Sequence, residues 1–282
     1  HSPERGLIER ITDALVSVDP DGQITNIAEG DSAPATVDLR DQGVLLPGLV
    51  DLHIHAPQFP QLGTGLDVPL EDWLSKYTFP LEARFADLSF AAKVHDALVR
   101  RLLANGTTTA VYFATIHGPS SLNLAETCLS LGQRAFVGKV AMDLAGACPD
   151  YYRDKDAATS VDETAAFIKA IRALPGNILV EPIITPRFIP SCSDAALEGL
   201  GELAATTGAA VQTHCSESDW EHQFVLDRMG KSDAAALDDF GLLTKRSVLA
   251  HAGYISDEDM DLIADRGAGI AHCPLSNAYF GN

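Results

Sequence analysis

His53 and His55 are separated by one residue, and in an extended strand residues two apart share a face. Asp51, His53 and His55 therefore point one way, while Val50, Leu52 and Ile54 point the other and can pack under helices. Two imidazoles at the end of one strand can bind a single divalent cation side by side. A lone pair of this kind is equally well a pair of ordinary core histidines. The pattern repeats, however. Gln212 and His214 share a face, as do Leu249 and His251, and Ile270 and His272, and each histidine closes a strand-like run. Buried neutral imidazoles still need hydrogen-bond partners, so several strand-terminal histidines together point to a metal centre. Three residues beyond His214 stands Glu217. If a helical turn starts there, its carboxylate returns over the metal on the side of His214. A carboxylate so placed suits proton transfer between water and a leaving group. The alternative is a first-turn glutamate that serves the helix dipole.

Thr185-Pro186-Arg187-Phe188 offers a planar donor fork and an aromatic face for a flat ligand. The other reading is a surface arginine and a packing phenylalanine. Gln58 can donate and accept at once, as the edge of a heterocycle requires. His1, His95, His117 and His222 lie outside any constellation and read as structural or surface residues; Glu181 reads as an inward polar residue without a role. Cys215 and Cys273 are expected beside the site by adjacency alone.

Seven strand-like runs deliver these residues: 49–55, 107–114, 134–141, 178–185, 209–214, 247–251 and 268–273. Helical patterns lie between several of them. Ser89 reads as the cap of a helix bearing Phe90, Val94, Ala97, Leu98 and Leu102, stopped by Asn105-Gly106. Ser160 and Glu163 read as a capping box ahead of Phe167, Ile168, Ile171 and Leu174. Asp194 opens a helix with Leu197, Leu200 and Ala204, ended by Gly208. Alternation of this kind implies parallel βα units. The expected fold is an α/β (β/α)8 TIM-type barrel with seven of its eight βα units visible, over residues 48–282. Residues 1–47, with a hairpin pattern around Asp21-Gly22, are expected to form part of a small β-sandwich. The stretches 56–88 and 215–246 are long loops on the side where barrels build their pockets. The chain ends at Asn282 in what reads as a loop, so a fragment of a longer protein is expected.

Composition narrows the partners. The 282 residues carry Lys+Arg 20 against Asp+Glu 39, a formal charge of −19, which argues against nucleic acid or an anionic membrane as a partner. No apolar run reaches the roughly 18 residues of a membrane span, and the first residues show no signal-peptide pattern. Five widely spaced cysteines without a CxxC pair read as reduced thiols of a cytoplasmic protein.

The run Pro47-Gly48-Leu49-Val50-Asp51-Leu52-His53-Ile54-His55-Ala56-Pro57-Gln58 resembles the opening metal motif of the amidohydrolase superfamily, in the version found in its guanine deaminases. The resemblance continues through residues 73–82, through Asn105-Gly106-Thr107-Thr108-Thr109-Ala110 and residues 132–140, and through Thr185-Pro186-Arg187-Phe188 and Ala271-His272-Cys273-Pro274. It implies one zinc per subunit (iron is an alternative), with His53, His55 and His214 as ligands. Glu217 would be the proton shuttle, and His251 would orient the attacking water. Gln58, Arg187 and Phe188 would match the purine-recognition residues. The implied activity is hydrolysis of guanine to xanthine and ammonia by a homodimer. A further ligand, an aspartate ending an eighth strand, falls beyond this sequence. The alternatives are a deaminase or chlorohydrolase for another aminated heterocycle, and a non-catalytic scaffold on the same barrel.

Overall fold

The computed structural model describes residues 4, 6–30, 34–40 and 42–280, and divides into two compact units, residues 1–48 and 49–282. His1 and Asn282 lie outside the described residues. In the first unit, β1 (Leu15–Val18) and β2 (Ile24–Ala28) pair antiparallel. Their turn is closed by the Asp19 carboxylate, which accepts from the Asp21 and Gln23 amides at 3.0 and 2.8 Å. Among the described residues this pair is what represents the expected sandwich.

The second unit runs from β3 (Leu49–His55) through α1 (Leu70–Trp73), α2 (Phe79–Ala83) and α3 (Leu88–Ala104) to β4 (Thr107–Phe113) and α4 (Gly118–Leu131). Then come β5 (Arg134–Gly138), β6 (Val140–Ala141), α5 (Ala157–Arg172), β7 (Val180–Pro186), α6 (Asp194–Thr207) and β8 (Ala210–Cys215). The remainder is α7 (Asp219–Met229), α8 (Asp233–Asp239), β9 (Ser247–His251), α9 (Asp257–Arg266), β10 (Gly269–Ala271) and α10 (Pro274–Phe280). Where the sequence reads as a loop after residue 273, α10 forms. The strands are parallel neighbours in the order β10-β9-β8-β7-β5-β4-β3, with β6 also on β7. β5 and β6 act as one strand interrupted at Lys139, so seven barrel strands form a nearly closed wall. Lys139 is buried there with its Nζ 2.9 Å from Asp154 Oδ1.

Apolar strand faces and the longer helices meet in two large clusters. Tyr112, Ala135 and Val137 pack on Leu98, Val99, Leu124 and Ile171; Ile184, Val211 and Leu249 pack on Leu197, Leu200, Leu237 and Ile263. The buried stripe of α3 is Ala91, Val94, His95 and Leu98, rotated from the expected one, so Ala97 is exposed. Aspartates replace the expected serine caps. Asp87 accepts from the Ser89 and Phe90 amides, and Asp156 from Thr159, because a carboxylate at N-cap also meets the positive helix end. Ser160 instead lies inside α5, and its hydroxyl donates to the buried Asp154. Glu181 is exposed on β7 and not inward. β3 is an edge strand, and its outward Val50 and Leu52 remain exposed while Ile54 packs. No helix among the described residues is long and apolar enough to cross a membrane.

His95 joins two helices: its Nδ1 lies 3.0 Å from Asn123 Oδ1 of α4. Burial pulls its pKa from 6.5 down to about 4. The unfolded chain therefore takes up this proton first as pH falls. The folded state loses stability from pH 6.5 downward, by a total of about 3 kcal/mol, and the loss levels off below the folded pKa. Urea unfolding of His95→Gln at pH 7 and at pH 4.5 should show a correspondingly flatter dependence than the parent; an identical slope would remove His95 as a source.

Candidate active site

β3 and β9 end in histidine, β8 carries His214 just before its last residue, and parallel neighbours bring those ends to one rim. The Nε2 atoms of His55 and His214 stand 2.9 Å apart. The His53 ring meets those of His55, His214 and His251 edge-on, with centroids 5.0, 4.9 and 5.1 Å away. One nitrogen from each of His53, His55 and His214 lies within 4.8 Å of the others, and so do single atoms of His214, Glu217 and His251. His272 stays outside this group: β10 ends at Ala271 and His272 is exposed.

The hydrogen bonds show what these nitrogens can do. His214 Nδ1 lies 2.6 Å from the Arg187 carbonyl, which can only accept, so Nδ1 carries the hydrogen and Nε2 presents a lone pair. Burial first, and neighbouring imidazoles and Arg187 after it, hold His53, His55 and His214 well below the usual histidine pKa. All three are therefore neutral near pH 7. His53 Nδ1 and His55 Nδ1 are buried without a hydrogen-bond partner among the described residues. Ring nitrogens of neutral, half-buried to buried imidazoles that converge in this way fit a divalent cation of the imidazole-seeking kind. Cys273 Sγ also approaches His53 and His251, but burial raises that thiol to about 11 and it donates to the Ala271 carbonyl.

Glu217 reaches the centre by a different route from the expected helical turn. The strand ends at Cys215, Ser216 turns left-handed at φ 49°, and α7 begins only after the Ser218 cap. The turn sets Glu217 Oε1 3.3 Å from His251 Nε2. Burial raises the Glu217 carboxyl, while His251 and Arg187 oppose the rise. The other ring nitrogen of His251 faces Asn277 Oδ1 at 3.0 Å. Asn277 has no motif around it and is invisible to spacing arguments.

Arg187 and Phe188, following β7, are both buried, not on the surface. The Arg187 guanidinium forks onto Glu82 of α2, NH1 to Oε2 at 2.7 Å and NH2 to Oε1 at 3.3 Å, and lies over the Phe79 ring. Gln58 Nε2 donates to the same Glu82 carboxylate at 3.1 Å. Glu82 thus collects two of the three expected recognition residues, although only its place in the family-like stretch 73–82 marked it. The Phe188 ring stands 6.2 Å from that of His214 and 6.1 Å from that of Trp220. Phe188, Trp220, Phe79 and Leu74 line a cavity of about 380 Å³. His117 caps no amide of α4, and His222 stacks on Tyr254.

The amidohydrolase family profile matches residues 44–282. The chain belongs to the amidohydrolase family. Among curated amidohydrolase relatives, a probable guanine deaminase of Schizosaccharomyces pombe is 44% identical, aligned over 99% of this chain and 55% of its own length. Among solved structures, a guanine deaminase from C. acetobutylicum with guanine bound in its active site superposes with TM-score 0.88 at 34% identity, over 99% of this chain and 67% of that one. An adenosine deaminase from Xanthomonas campestris with bound zinc gives TM-score 0.73 at 25% identity, over 83% and 51%. The chain spans 55% to 65% of the length of the first curated relatives. The family is generally metal-dependent, in keeping with the donor set found here.

Removing Glu82 leaves the Arg187 cation buried without its counter-ion. Glu82→Ala should lower unfolding free energy by about 3–5 kcal/mol in urea titration. Glu82→Gln should lose less, since its amide oxygen still accepts from the guanidinium. Losses below about 1 kcal/mol in both would mean that the pair does not hold the wall.

Proposed function

We propose that this chain carries the metal centre and most of the substrate wall of an enzyme that hydrolyses guanine to xanthine and ammonia. One observation carries the reading: the histidine cluster with Glu217 shares a rim with the Gln58–Glu82–Arg187 network and the Phe188 ring. The names of the similar proteins support guanine as the substrate. His53, His55 and His214 would hold the ion, and zinc is favoured over iron by the zinc-bearing neighbour. Such an ion, when bound, supplies a Lewis acid that makes water nucleophilic near neutral pH.

The chain's own groups do the rest. Glu217 takes one proton from the attacking water and delivers it to the ring nitrogen, then takes the remaining proton of the added hydroxyl and delivers it to the amino group, so the C–N bond breaks, ammonia leaves and the protons balance. His251 orients the attacking oxygen through the nitrogen that faces Glu217. Glu82 sets the polarity of the wall. With the Gln58 amino group turned to Glu82, the Gln58 carbonyl is left to accept from the purine's N–H groups. Arg187, with five N–H donors, keeps donors for a ring carbonyl. Phe188 supplies a stacking face. The family resemblance supports a homodimer, and the five unpaired thiols support the cytoplasm.

Glu217→Gln should retain its metal by elemental analysis while kcat on guanine falls by about 10²–10⁴-fold; near-normal turnover would end this mechanism. Arg187→Ala should act chiefly on KM for guanine, and an unchanged KM would remove its recognition role. A panel of guanine, adenine, cytosine, pterins and triazines decides the substrate, with preference for a non-purine as the overturning result.

A further inference from the structure

Behind the Glu217 turn lies a second pair of carboxyls that the reaction itself does not use. Glu221, in the first turn of α7, is fully buried, and its Oε2 accepts the Glu217 backbone N–H at 2.8 Å. Asp233, the first residue of α8, is equally buried, and its Oδ2 accepts the Ser216 hydroxyl at 2.8 Å. The two side chains thus grip consecutive residues of one turn. Ser216 is held there in a left-handed conformation that is unfavourable for a residue with a Cβ.

The remaining oxygens, Glu221 Oε1 and Asp233 Oδ1, are buried and accept nothing from the other described residues, and the two carboxyls face each other. Were both ionised, two desolvated anions would repel and each would keep an oxygen without a donor. A single proton supplies that donor and removes the repulsion, as in other close carboxyl pairs. Burial and the facing Asp233 push Glu221 well above the usual carboxyl range, and burial pushes Asp233 up to about 6. His222, whose Nδ1 lies 3.3 Å from Ser216 Oγ, is the imidazole beside the pair.

We propose that Glu221 and Asp233 are positioning residues that share one proton, and that the hydrogen bond between them locks the Ser216–Glu217 turn and aims Glu217 at His251. The proposal rests on Glu217 as the proton carrier. It accounts for a buried acidic pair that would otherwise only destabilise the fold, and it assigns the pair to the step that depends most on geometry. A displacement of about 1 Å at a reacting group can lower a rate by about a hundredfold.

The test compares kcat, KM and bound metal for Glu221→Leu, Glu221→Gln, Asp233→Asn and the Glu221→Gln/Asp233→Asn double variant of the full-length protein, with Glu217→Gln as reference. Glu221→Leu should lower kcat about tenfold to hundredfold while KM and metal content hold. Its crystal structure should show Ser216 relaxed out of the left-handed region. Glu221→Gln should restore most of the turnover, because its amide accepts from Glu217 N–H and donates to Asp233 without needing the shared proton. Asp233→Asn should do likewise. The double amide has no acceptor free for both donors and should fall again. Single amides as inactive as Glu217→Gln, or a leucine variant with the parent's kcat and an unmoved turn, would overturn the pair's role. Metal lost in step with kcat would make the pair a support of the metal centre and would overturn the proposal too. Near-normal turnover in Glu217→Gln alone would instead defeat the mechanism on which the proposal stands.

Discussion

Three neutral imidazoles drawn out of water around one point are the constraint around which the barrel is organised. His214 already gives its Nδ1 hydrogen to the Arg187 carbonyl, so its Nε2 has only electrons to offer, and it faces His55 Nε2 at 2.9 Å. Protonating these rings is opposed by burial and by their mutual repulsion. Hydration is opposed by the same burial. Gathering such rings is unfavourable on its own, so the fold must hold them in place, and a cation at their meeting point would relieve the cost. Parallel strands suit that task because their ends lie on one rim, and a two-residue period puts alternate side chains of each strand on its inward face.

Arg187 links this centre to the surface that would hold a flat ring. Its carbonyl fixes the tautomer of His214 from one side, while its guanidinium is forked onto Glu82 on the other. A disturbance of the Glu82 pair would therefore reach the proposed ring-binding wall first, since His214 is held by the Arg187 backbone carbonyl and not by the guanidinium. Glu82 comes from the long segment after β3, whose short helices pack Leu70, Leu74 and Phe79 against Phe113, Val140, Met142 and Phe188. Apolar burial anchors that segment, and the anchored segment carries the carboxylate that orients Gln58.

The parts of the site legible in sequence were those governed by strand periodicity. Asp51, His53 and His55, and the terminal positions of His214 and His251, follow from alternation alone. His272 obeyed the same rule and still fell outside, since β10 closes at Ala271 before the rule reaches it. Groups whose positions depend on tertiary bonds were not legible. Asn277 meets His251 across 26 residues, and Arg187 meets Glu82 across 105. No local pattern encodes such distances. The helix starts show the same division: the helices were readable from apolar spacing, but the caps went to Asp87 and Asp156, with Ser89 already inside the first turn and Ser160 drawn to the buried Asp154.

Backbone conformation supplies the last step. Four non-glycine residues among the described ones have positive φ, and three of them, Ser216, His251 and Ala252, surround Glu217. Glycine at those positions would remove the steric penalty but would also free the turn. The strained conformers are instead held by specific bonds. Ser216 is tied through its hydroxyl to Asp233 and through its carbonyl to the Gly253 amide, and the Cys215 carbonyl takes the Ala252 amide. A carboxylate proposed to pass a proton between fixed atoms works best on a support with one available conformation. Side chains in a left-handed turn, over-determined by buried hydrogen bonds, provide that support where a flexible loop of easier geometry would not.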